Sequence, residues 1–172
     1  MTKKKLNIKV IVVIIIALAV VVIIGSYLNR PDNDFADATI NITQDDQILK
    51  SFTLEEVKKL PAVGIEKTVV SSSKGNETGV FTGVWLADLL KEVDPQLLTG
   101  EHKFITKAVD GYASVLSSTE VNQPENVLLA YAKDNQSLGT IDDGGSGPFR
   151  IIIVEDPFGN RSARFLNEIE IK

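Results

Sequence analysis

Three stretches of this 172-residue chain carry side chains able to bind or transform a ligand. The first is Ser71-Ser72-Ser73-Lys74-Gly75-Asn76. Its hydroxyls, its ammonium and its backbone N–H groups could hold a small anion or polar ligand. The plain alternative is a solvated loop. The second is Asp142-Asp143-Gly144-Gly145-Ser146-Gly147-Pro148. Gly144 and Gly145 would let the backbone approach a ligand closely. The paired aspartates suggest Ca²⁺, but the D-x-D-x-D-G spacing is missing. The alternative here is a turn that sets the register of the next strand. The third is Arg150, Arg161 and Arg164, the only arginines beyond residue 30. Arginine recognises phosphate or carboxylate bidentately. Equally, these three could pair internally with Glu155, Asp156 or Glu168.

The remaining reactive side chains point to less. Tyr112 and Tyr131 could line a pocket with an orienting hydroxyl, or pack in the core with that hydroxyl bonded. His102 is the single histidine, and without an H-x-H or H-x-x-x-H partner it reads as a strand-edge residue. There is no nucleophile elbow, P-loop or zinc spacing, so no catalytic residue and no metal ligand is assigned.

The elements that must position these groups follow from the apolar pattern. Ala38–Thr43 and Gln47–Phe52 flank a turn and predict a hairpin. Thr53-Leu54-Glu55-Glu56 is a capping box that opens a helix running to about Leu60, where Pro61 stops it. Residues 65–73 are β-rich. Val84–Val93 predicts a helix with Trp85, Leu86, Leu89 and Leu90 on one face. His102–Val109 and Tyr112–Ser117 flank Asp110-Gly111, a hairpin signal. Val127–Lys133, Phe149–Glu155 and Phe165–Ile171 predict further strands. The class is α+β, mostly β, with two short helices in the folded part. The expected core comprises Leu54, Val57, Leu60, Val69, Trp85, Leu86, Leu89, Leu90, Leu128, Ala130, Ile151, Ile153, Phe165 and Ile169.

The N-terminal end has a different character. Residues 1–9 form a basic tail containing Lys3, Lys4, Lys5 and Lys9. Residues 10–28 are uncharged and apolar, long enough to span a bilayer's hydrocarbon core. The lysines before this run mark its N-terminal side as cytoplasmic. A cleaved signal peptide would have a shorter apolar run and a small-x-small site, where this chain has Gly25-Ser26-Tyr27. The expectation is a single-pass anchor, a polar linker at 29–37 and one extracytoplasmic domain at 38–172. The chain has 18 basic and 23 acidic side chains, and five of the basic ones lie within residues 1–30. The remainder therefore holds 13 basic against 23 acidic groups, a net charge of −10. Such a domain repels nucleic acid. Zero cysteines in an exported domain suit a bacterial surface.

The order of motifs then becomes informative. TLEEVKKLP is followed by a β-rich stretch, FTGVWLADLL, the D-G-Y hairpin, LLAYA, GGSGPFRIIIV and a closing RFLNEIEI. This order resembles the oxidoreductase molybdopterin-binding domain, the fold of the sulfite oxidase catalytic core, over about residues 50–172. The resemblance implies several β-sheets around a pterin cleft, with the Gly-Gly-Pro-x-Arg stretch beside it. It also implies a molybdenum-ligating cysteine in the loop after the β-rich stretch, where this chain has Ser71, Ser72 and Ser73. A serine hydroxyl does not replace a soft thiolate. Molybdopterin is thus a cofactor implied by resemblance alone.

The expectation for function is a membrane-anchored, extracytoplasmic, non-catalytic binding or interaction module of that superfamily. Its partners would be the membrane through residues 10–28, and a small anionic or pterin-like ligand or a surface protein assembly. One alternative is a pterin-dependent oxidoreductase with an oxygen ligand from Ser71, Ser72 or Ser73. Another is a structural spacer without a ligand. The ligand residues expected are Ser71, Ser72, Ser73, Lys74, Gly144, Gly145, Arg150, Arg161, Arg164 and Tyr112.

Overall fold

Alternation along β1 (Thr39–Gln44) buries Ile40 and Ile42 and turns Asn41 away from the core, until a register shift after Ile42 buries Thr43 as well. The same period in β5 (Lys103–Ala108) buries Phe104, Thr106 and Ala108. A pleated strand sends successive side chains to opposite faces, so one face of each strand must be covered. The computed structural model describes residues 8–28, 38–70 and 75–172. They fall into two units, Met1–Asp32 and Asn33–Lys172.

In the first unit, helix α1 (Ile8–Leu28) covers the apolar run. Val12, Ile14, Ile15, Ile16, Leu18 and Val20 are among its exposed apolar side chains. Among the described residues, no helix is long and apolar enough to cross a membrane. The anchor therefore remains an expectation from the whole segment's sequence.

The second unit holds two five-stranded sheets. The first runs β2 (Gln47–Thr53), β1, β10 (Leu166–Ile171), β5, β6 (Ala113–Ser117). All its pairings are antiparallel except β1 with β10, where Asn41 pairs with Glu168 and Gln44 with Ile171. The second runs β3 (Val63–Val69), β4 (Glu77–Trp85), β7 (Val127–Lys133). The far edge of β7 is shared by β9 (Arg150–Ile153), opposite Val127–Ala130, and β8 (Gln136–Ser137), opposite Ala132 and Lys133. Three short helices, α2 (Leu54–Val57), α3 (Leu86–Lys91) and α4 (Ser118–Asn122), connect and cover the strands.

Every residue of β9 is buried. Leu129, Ile151 and Ile153 point into the main core with Ile40, Phe104, Leu86 and Ile169. Leu128, Ala130 and Ile152 point the other way, into a second cluster with Val69 and Phe81. The second sheet is thus apolar on both faces where β7 and β9 meet.

Three expectations need correction. The helix expected from Val84 starts at Leu86, because Val84 and Trp85 still pair with Leu129 and Leu128 in the β4–β7 ladder. Trp85 is therefore not on the face shared by Leu86, Leu89 and Leu90; it is half-buried against the second cluster. Leu60 is likewise only partly buried. Finally, the described residues of the domain form three short α-helices rather than two. The added one, α4, starts at a capping box in which Ser117 Oγ accepts from the Glu120 backbone N–H and the Glu120 carboxylate accepts from Ser117.

Candidate functional site

The β4–β7 ladder brings the start of β4 beside the end of β7, with Phe81 opposite Lys133. Glu77, the first residue of β4, faces three cations there. Arg150 Nη1 donates to Glu77 Oε2 at 2.7 Å, Lys133 Nζ lies 3.3 Å from Oε1, and Arg164 Nη2 lies 3.7 Å from Oε2. Arg150 is fully buried. Its Nε donates to Ser162 Oγ at 3.0 Å and its guanidinium lies 5.3 Å from the Phe81 ring centroid. Lys133 Nζ lies 5.9 Å from the same centroid, so two cations share one aromatic ring.

Burial pushes the Glu77 carboxyl up, but the hydrogen bond and charge of Arg150, with Lys133, pull it below its ordinary value overall. Burial lowers the Arg150 guanidinium, opposed by Glu77 and reinforced by repulsion from Arg164. Arg150 nonetheless stays charged, because arginine cannot be deprotonated in proteins.

In front of this cluster lies a cleft of about 430 Å³, lined by Gly75, Asn76, Glu77, Thr78, Lys133, Leu138, Gly144, Gly145, Ser146 and Arg164. Gly144, Gly145 and Arg164 of the sequence candidates thus line one cleft, with the described edge of the serine loop, Gly75 and Asn76, on its other wall. Ser71, Ser72, Ser73 and Lys74 lie outside the described residues. Arg150 sits behind Glu77 and does not line the wall.

The remaining candidates lie elsewhere. Arg161 pairs with Glu120 at 2.6 Å and Asp156 at 2.9 Å, and the Glu120 hydrogen bond raises its pKa. Tyr112 is exposed, and its hydroxyl donates to the Asn160 carbonyl. Neither residue lines the cleft. Among the described residues, Arg150, Arg161 and Arg164 pair with Glu77, Glu120 and Asp156, not with Glu155 or Glu168.

The glycine-rich segment is built for its own packing. A Cβ on Gly145 would lie 2.3 Å from the Gly139 carbonyl carbon and 2.4 Å from the Leu138 oxygen. The N–H groups of Gly144, Gly145, Ser146 and Gly147 donate to Ile141, Thr140, Leu138 and Gly139. They are spent within the loop, so the ligand-facing groups of this wall are side chains. Thr140 and Asp143 close the turn with a 2.7 Å hydrogen bond.

Glu77 and Lys133 are site residues that sequence reasoning missed. They are 56 positions apart in the numbering, and only the β4–β7 register makes them neighbours. A weak signal existed for Glu77, since KGNET places a carboxylate directly after the serine loop.

The molybdenum centre implied by the resemblance does not fit these residues. The chain contains no cysteine, and the cleft's charged oxygen donor, Glu77, is already committed to three cations. No aromatic side chain lines the cleft to stack a flat ring. Among the described residues no three His, Asp or Glu side chains cluster as a metal site.

A model of the oxidoreductase molybdopterin binding domain family matches residues 27–172. Among solved structures, the chain is similar to the sulfane dehydrogenase SoxCD from Paracoccus pantotrophus, with a TM-score of 0.62 at 17% identity. That match covers 78% of this chain and 38% of the other, and at this identity it speaks for the fold alone. No curated protein matches the sequence.

Proposed function

Since the chain belongs to the oxidoreductase molybdopterin binding domain family, we propose that it is a membrane-anchored, extracytoplasmic member that has kept the fold and given up the metal chemistry. The observation that carries this reading is the complete absence of cysteine, combined with a cleft whose carboxylate is held by Arg150, Lys133 and Arg164. A thiolate makes this kind of metal site because it is a soft donor. Serine hydroxyls at 71–73 do not supply that donor.

The anchor reading rests on sequence: an uncharged run at residues 10–28 preceded by four lysines. The module then works by binding, with the cleft as its ligand site.

Metal analysis of protein purified from its native host tests the proposal. The expected result is molybdenum far below one atom per chain and no oxidation of sulfite or reduction of sulfoxide. Stoichiometric molybdenum together with turnover of either substrate would overturn it in favour of an oxygen ligand from Ser71, Ser72 or Ser73.

A further inference from the structure

Resting on the reading that this cleft no longer serves molybdenum chemistry, we propose that it binds a small oxyanion, a phosphate or a dicarboxylate, through Arg164 and Lys133, with Glu77 as a built-in counter-ion. The charge balance is the first argument. Arg150, Arg164 and Lys133 converge on Glu77, and Lys133 reaches a second carboxylate, Asp134, only at 4.0 Å. Three cations against two carboxylates leave a local excess of one positive charge, inside a domain that is net negative by ten. Arg150 and Arg164 are close enough to repel each other. An added anion relieves that repulsion.

Geometry gives the second argument. Arg150 has its Nε on Ser162 and an Nη on Glu77. Arg164 instead stands 3.7 Å from Glu77, beyond hydrogen-bond range, and makes no hydrogen bond among the described residues. Toward the described residues its fork is therefore unsatisfied, and guanidinium recognises an oxyanion bidentately. Arg164 and Lys133 are 22% and 26% exposed and both line the cleft, while Arg150 is sealed behind Glu77. Partly buried charges of this kind are screened less by salt than surface ones.

The lining gives the third. Leu138 is the one large apolar side chain among Gly75, Asn76, Thr78, Gly145 and Ser146. Ligand pockets for drug-like molecules are lined mainly by apolar and aromatic groups. This one suits a small hydrophilic anion and offers a flat heterocycle nothing to stack on.

Isothermal titration of the full chain in detergent, at low ionic strength, with inorganic phosphate and separately with succinate, tests the site. The expected result is saturable one-to-one binding of at least one of them. The tighter of the two assigns the ligand to the phosphate or carboxylate class. Arg164→Gln and Lys133→Gln each weaken binding about tenfold or more, the equivalent of one lost charge-assisted hydrogen bond. Lys91→Gln, whose side chain pairs with Asp88 away from the cleft, leaves it unchanged. Lys133→Gln serves alone if Arg164→Gln does not fold. The proposal falls if neither anion gives saturable binding at millimolar concentration, or if both cleft variants bind as the parent does. Protein that lacks molybdenum and ignores both anions would sink this inference while leaving the preceding one standing.

Discussion

Glu77 is the residue on which the candidate site turns. Removing its charge strands a buried guanidinium, and breaking a buried ion pair from one side is strongly destabilising. Glu77→Gln should cost about 3–5 kcal/mol in denaturant unfolding at neutral pH. The carboxyl is held below its ordinary value in the folded state, so the unfolded chain takes up the proton first as pH falls. Its contribution to stability is complete above the ordinary glutamate range, about pH 4–5, and is lost as pH drops through the depressed folded value. Stability measured on acidification should therefore decline less steeply in Glu77→Gln than in the parent. An equal slope would show that the carboxylate is not held by the cations. Arg161 belongs to a separate network with Glu120 and Asp156. Arg161→Gln should therefore leave anion binding in the cleft intact.

Single elements are held by local devices that can be tested one at a time. Thr53 and Ser117 each cap a helix of four or five residues with a reciprocal capping box. Thr53→Ala and Ser117→Ala should each cost about 0.5–2 kcal/mol by thermal or chemical unfolding. Ile152 is buried on the face of β9 opposite Ile151 and Ile153. Ile152→Ala should cost about 2–5 kcal/mol, as much as a main-core truncation. Trp85→Ala should fall short of the ~3–5 kcal/mol typical of a fully buried aromatic, because the indole is only half-buried.

Much of this level was legible in the sequence. Asp45 and Asp46 adopt left-handed φ values of 50° and 61° in the β1–β2 turn, and Asp110-Gly111 closes β5 and β6. Turn chemistry is local and so can be read locally. The S-x-x-E signal at Ser117 is as local as the T-x-x-E signal at Thr53 and opens α4 in the same way. Trp85 misled because a Val-Trp-Leu run suits both a strand end and a helix start, and the ladder with Leu128 decided between them. The cleft was half legible. Its glycine wall and Arg164 stand out as types, whereas the meeting of Glu77 with Lys133 depends on a register between distant strands that no local pattern encodes.

At the scale of the whole molecule, the anchor reading predicts a sidedness. Protease added to intact cells or protoplasts should reach residues 31–172 and leave Lys3, Lys4 and Lys5 protected. A domain shielded by the intact membrane would contradict the orientation inferred from the lysines. A chain beginning near Asp37 should be soluble and unfold cooperatively, since a polar linker separates the two parts of the sequence. The pairing of β1 with β10 has a consequence in time. The strand that fills the place between β1 and β5 is synthesised long after β1, and Asn41 waits for Glu168. At about 5–20 residues per second, that wait lasts roughly 6–25 s. Throughout it, one edge of β1 is without its partner strand, and an open edge of that kind is a template for pairing with the wrong chain. The growing polypeptide is therefore vulnerable to misassociation until β10 has emerged. A chain lacking Leu166–Lys172 would never leave that state, and would lose the cooperative unfolding transition altogether.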